Sequence, residues 1–158
     1  MKSATHLRSE YLADLTMVHD KIVALANAIP ADKYAWRPVP GVRSVSEVLM
    51  HVAGEWYLIG PMSVGAKPPA DFGVPREAMA KLEQLTAKDE VLAQLEKSWA
   101  HSRAAIESAD PAALLGRYEP AKMSLARAAL RVAGDQHEHL GQLITYARAV
   151  GVTPPWSK

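Results

Sequence analysis

The chain has 158 residues, 49% of them apolar and 22% charged, which suits one domain spanning residues 1–158 and is too apolar for a disordered segment. Eighteen basic against seventeen acidic residues leave a formal charge of +1, mixed along the chain with no basic stripe, which argues against a nucleic-acid surface. Cysteine is absent, so disulfides, thiolate nucleophiles and thiolate metal ligands are excluded together, and any metal must be held by nitrogen and oxygen.

Charged residues interrupt the N-terminal stretch Met1 to Glu10 before an apolar signal core could form. No apolar run approaches the roughly 20 residues that cross a bilayer. A cytoplasmic protein without membrane contact is expected. From Leu7 to Ile29, Leu7, Tyr11, Leu15, Val18, Ile22, Leu25 and Ile29 recur at steps of three or four, one face of a helix that Pro30 closes. Pro30, Pro38, Pro40 and Gly41 then make a loop in which Trp36 is the large anchor. Ser44, with Glu47 three residues on, forms a capping box. It opens a second helix through Val45, Val48, Leu49, Val52, Trp56 and Ile59 to about Gly60-Pro61.

Glycine, proline and alanine crowd Ser63 to Pro75, so no regular element is expected there and the segment is a candidate lid. Thr86 and Asp89 make a capping-type start for a third helix through Val91, Leu92, Leu95, Trp99 and Ile106 to about Asp110-Pro111. An irregular link with Gly116 and Pro120 leads to Ser124, which opens the longest helix, running to Val150 and stopped by Gly151 and Pro154-Pro155. Strand periodicity and internal repeats are absent. Four amphipathic helices with connections too long for simple hairpins predict an all-α four-helix bundle with at least one crossover link.

On the fourth helix Asp135 and His139 stand one turn apart, on the flank of the stripe set by Leu125, Val132, Leu143 and Ala147. His51 occupies the flank of the second helix, with Glu55 one turn further on. Two imidazoles and a carboxylate make a three-ligand set with open positions, suited to a divalent first-row metal. Asp/His pairs one turn apart also occur as ordinary hydrogen-bonding pairs on a helix face, so the spacing leaves both readings open.

His137 is two residues from His139, about 200° around the helix, and cannot chelate with it. It falls near Leu130 and Ile144 on a second apolar arc, which predicts contact with another helix or a second subunit. His6, His19 and His101 lack partners at ligand spacing and read as surface or flank residues. No Ser-His-Asp motif or glycine-rich phosphate loop is present.

Two segments resemble the DinB/YfiT-like superfamily of metal-binding four-helix bundles. One is Trp36-Arg37-Pro38 leading to Ser44-Val45-Ser46-Glu47-Val48-Leu49-Met50-His51-Val52-Ala53. The other is His139-Leu140-Gly141-Gln142 leading to Tyr146, Gly151 and Pro154-Pro155. The resemblance implies one divalent metal, with His51 and His139 matching family ligands directly. Asp135 stands where the family usually has a histidine, which favours a harder metal than an all-imidazole set would.

What the resemblance implies chemically is a zinc, nickel, iron or manganese ion that lowers the pKa of a low-molecular-weight thiol or a water. Glu55 and Gln142 would orient the nucleophile or a ligand ring. Two functions compete: a metal-dependent enzyme of thiol-transferase or hydrolase type, and a bundle without catalysis that serves as a metal-binding or oligomeric module. A homodimer through the arc of Leu130, His137 and Ile144 is compatible with both, and a small-molecule substrate belongs to the first.

Overall fold

Apolar spacing of three and four residues makes α1 (Lys2–Ala28), which buries Tyr11, Leu15, Val18, Ile22 and Leu25 along one face. The computed structural model describes residues 2–119 and 122–157, so Pro120 of the expected irregular link lies outside the described residues. After Pro30 a 3-10 turn, Ala31–Lys33, brings Tyr34 back onto α1, where its buried hydroxyl donates to the Ala26 carbonyl at 2.9 Å. Ser44 and Glu47 form the expected capping box at the start of α2 (Val45–Met62). Arg37 braces it from the preceding loop, bonding both Glu47 at 3.0 Å and the Val42 carbonyl at 2.8 Å.

The next helix, α3 (Pro75–Leu82), spans too few residues to show a period in sequence; Pro75 at its first position pre-sets the helical φ. α4 (Lys88–Ser108) begins after Ala87 with no side-chain cap, so the capping start expected at Thr86 and Asp89 does not form. Beyond a 3-10 turn at Pro111–Leu115, two residue pairs, β1 (Arg117–Tyr118) and β2 (Met123–Ser124), make an antiparallel hairpin. Strands of two residues cannot show alternation, which is why the sequence gives no sign of them.

Ser124 caps α5 (Leu125–Ala149) by accepting from the Arg127 amide at 3.2 Å. Its far end closes in a Schellman turn: Gly151, at φ +83°, and Val152 donate back to the Arg148 and Ala147 carbonyls.

α1 packs against α4 and α5, and α2 packs against the same two helices. Arg8 bonds the Ala109 carbonyl while Lys88 bonds those of Asn27 and Ile29, so α1 and α4 are antiparallel. Trp56 meets Trp99 while Gly60 abuts Ser102, so α2 and α4 are parallel. Two consecutive long helices can be parallel only if the chain returns the length of the bundle between them. Residues 63–87 are that crossover, and α3 lies within it, packed on α2 with Met79 against Gly54. The protein is an all-α four-helix bundle with a crossover connection.

Candidate metal centre

His51 lies two turns inside α2 on the edge of the buried stripe, and Glu55 follows one turn later on the same edge. α5 runs antiparallel to α2, as Tyr146 beside Arg43 and Gln136 beside Glu55 show, so His139 is carried opposite His51. The two rings meet edge to face, 5.1 Å between centroids. Glu55 stands between them: one carboxylate oxygen is 3.3 Å from His51 Nε2 and the other 3.4 Å from His139 Nε2. Gln136, fully buried, donates to the second oxygen at 2.8 Å. Each of these three side chains is less than a fifth exposed.

The outer ring nitrogens are held as well. His51 Nδ1 is 3.0 Å from Glu83, a residue of the crossover, whose carboxylate is in turn paired with Arg43 at 3.1 Å. His139 Nδ1 is 3.4 Å from Gln142 Oε1; the Gln142 amide donates to the Tyr146 hydroxyl at 3.2 Å, and Tyr146 donates to the Arg43 carbonyl at 3.1 Å. Acceptors at both Nδ1 atoms place the ring proton there and leave both Nε2 atoms to face Glu55. A carboxylate has no proton to give, so each Nε2···O contact needs positive charge between the atoms, supplied either by ring protons or by a bound cation.

Burial raises the Glu55 pKa, but hydrogen bonds from His139 and His51 outweigh it and hold the carboxyl down at about 2. The same bond from Glu55 raises the pKa of His139 against its desolvation. Asp135, on the exposed side of His139 with Oδ2 3.9 Å from Nε2, is pushed up to about 6 by burial and by the neighbouring Glu55 charge.

One ligand atom each from His51, Glu55 and His139 lies within 4.8 Å of the others, a group that could hold a metal ion. The donor set, two imidazole nitrogens and carboxylate oxygen, fits a divalent transition metal. Of the residues singled out in the sequence, His51, Glu55, Asp135, His139 and Gln142 are brought to this one place. Glu55, read from the sequence as an orienting group, occupies the centre, and Asp135 its rim. Glu83 and Arg43 escaped the sequence reading because no local spacing links a crossover residue to His51.

The other histidines lie elsewhere. His19, expected on a surface or flank, is buried against Trp99, 4.8 Å away and stacked, and Trp56, because the α1–α4 contact closes over it. His137 pairs with Asp14 of α1 at 3.1 Å, and His6 lies 3.8 Å from Glu10 at the exposed start of α1. His101 stands beside Tyr57. No helix is long and apolar enough to cross a membrane among the described residues. A family model described as the DinB superfamily matches residues 14–143. No curated protein matches the chain.

Proposed function

This chain belongs to the DinB superfamily, and we propose that it binds one divalent transition metal, among zinc, nickel, iron and manganese, and is a metal-dependent enzyme that activates a low-molecular-weight thiol or a water. The observation that carries this reading is the convergence of His51 Nε2, His139 Nε2 and the Glu55 carboxylate, with both Nδ1 atoms already engaged. His51 and His139 would hold the ion, with carboxylate oxygen from Asp135 or Glu55 completing the set. When bound, such an ion supplies Lewis acidity that lowers the pKa of the thiol or water presented to it.

The protein groups have separate tasks. Glu83 and Gln142 fix the two rings through Nδ1. Glu55, whichever ligand it serves, keeps an anionic charge beside both imidazoles. Asp135 stands at the solvent edge with its Oδ2 3.9 Å from His139 Nε2, where, if Glu55 is the ligating acid, its carboxylate is placed to take the proton that an activated nucleophile gives up. The reaction type would then be S-transfer or hydrolysis on a small electrophile.

Metal analysis of the native-purified chain beside His51→Ala, His139→Ala, Asp135→Ala and Glu55→Ala variants tests the site. Stoichiometric metal in the parent, lost in both histidine variants, is expected; metal that survives both overturns it. The two carboxylate variants show which acid ligates. Turnover of small electrophiles with thiols, abolished by a chelator, is expected of the enzyme.

A second reading, a metal-binding or oligomeric module without catalysis, is favoured by one observation: Glu55 already receives His51, His139 and Gln136 and needs no further partner. Absence of chelator-sensitive turnover in a metal-loaded sample selects that reading. The homodimer belongs here too. Leu130 is 69% exposed, whereas Ile144 packs on the core and His137 on Asp14, so a monomer by light scattering ends it.

A further inference from the structure

Beside the metal centre a cleft of about 540 Å³ opens between α2, the β1–β2 hairpin and α5. Ile59, Met62 and Val132 give it an apolar floor, and Tyr118 and Met123 form the far wall. Along α5, Arg131, Asp135 and Glu138 share one face of the helix and line one side. Asp135 is common to cleft and metal centre, with its Oδ2 3.9 Å from His139 Nε2, so the cleft leads to the reactive position.

Two features show what the cleft is shaped to receive. Among the described residues Arg131, exposed at the cleft's edge, is the one cation in its lining and no acid pairs with it, although Asp135 and Glu138 line the same side. Its planar fork of donors is therefore free for a carboxylate. Gly134, also in the lining, sits inside α5, where glycine costs about 1 kcal/mol relative to alanine. Outside its own turn of α5, a Cβ there would meet nothing within 4 Å and would project into open space. Nothing in the fold requires a glycine at this position; a side chain would occupy the space beside Asp135.

We infer that this cleft binds an organic carboxylate with an apolar body, its carboxylate on Arg131, its chain over Ile59, Met62 and Val132, and its reacting end at Asp135. Arg131 and Asp135 stand one turn apart on α5, an axial rise of about 6 Å, so one small molecule can span both. This names the substrate class of the proposed metal centre and, as a substrate assignment, rests on that reading; the binding itself can be measured apart from it.

The test is a heteronuclear NMR titration of the full-length chain, with and without metal, using hexanoate, hexylamine and hexanol. Hexanoate should shift resonances of Ile59, Val132 and Tyr118, and bind more tightly than the amine or the alcohol. Arg131→Gln should weaken hexanoate about tenfold or more, the loss expected for a charge-assisted contact. Gly134→Leu should abolish binding, and Gly134→Ala, with the helix better formed, should keep the cleft and show that the fold tolerates side chains there.

Preference for hexylamine, indifference to Arg131→Gln, or shifts confined to another surface overturns the inference. Metal content is measured on the same samples. A chain that holds metal and fails to bind hexanoate sinks this inference alone, whereas one that binds hexanoate and holds no metal sinks the metal centre while the cleft stands.

Discussion

Arg43 is the residue at which the two arms behind the imidazoles meet. Its guanidinium holds Glu83 against His51 Nδ1, and its carbonyl receives Tyr146, which orients Gln142 and through it His139. Only the first arm depends on the side chain, so Arg43→Ala should free Glu83 and lower metal affinity about tenfold to a hundredfold, the usual scale for partners behind metal ligands. Competition against a chromophoric chelator measures it, and Arg43→Lys, which keeps a charge beside Glu83, should recover part of the loss. Unchanged affinity would show that Glu83 does not position His51.

Glu47 offers a pH test away from this site. Burial pushes its carboxyl up, but the Ser44 amide and Arg37 more than compensate, so its folded pKa lies below the ordinary carboxylate value. A depressed carboxyl contributes stability above its unfolded pKa of roughly 4.3 and loses it as pH falls through the folded value. Glu47→Gln should therefore lower stability at neutral pH and flatten the acid limb of a denaturation-versus-pH curve. A parallel downward shift at every pH would contradict this.

At the scale of elements, the crossover does more than connect. α3 rests on α2 through Met79 at Gly54, and residue 83, just past its end, reaches His51. Gly54→Val should push Met79 and Leu82 off α2, raise amide exchange across Pro75–Leu82, and release Glu83, while the core amides of α1 and α5 stay protected. Equal protection of α3 in the variant would refute the docking argument.

The need for a crossover was legible in the length of residues 63–87, but the part that docks was not. The candidate lid at Ser63 to Pro75 drew attention to composition, whereas the segment reaching the site follows it. Eight helical residues give fewer than three turns, and Glu83 has its partner 32 residues away. Capping shows the same division. Ser44 and Ser124 cap as their sequences indicate, because each decision is made within four residues. Thr86 does not cap because α4 begins after Ala87.

For the whole molecule, the metal centre spans α2, the crossover and α5, so a bound ion should stabilise the folded chain by mass action. At a hundredfold excess over Kd the gain is about 2.7 kcal/mol, read as a rise in Tm that a chelator reverses and that His51→Ala abolishes. No shift in the parent chain would count against the site.

By itself the sequence determined the class of fold, the position of the long helices and the flanks on which His51, Glu55, Asp135, His139 and Gln142 stand. Those depend on periods of three and four residues and on caps, and the resemblance to DinB/YfiT-like proteins drew on the same two segments. Tertiary structure decided the rest: that α2 and α5 run antiparallel so that the two imidazoles face one carboxylate, that Glu55 takes the centre and Asp135 the rim, and that Arg43 and Glu83 close the arrangement from outside. Periodicity fixes the direction of a side chain around its own helix axis. Which helix it meets, and at what height, is set by how the buried faces pack and by the path of the links between them.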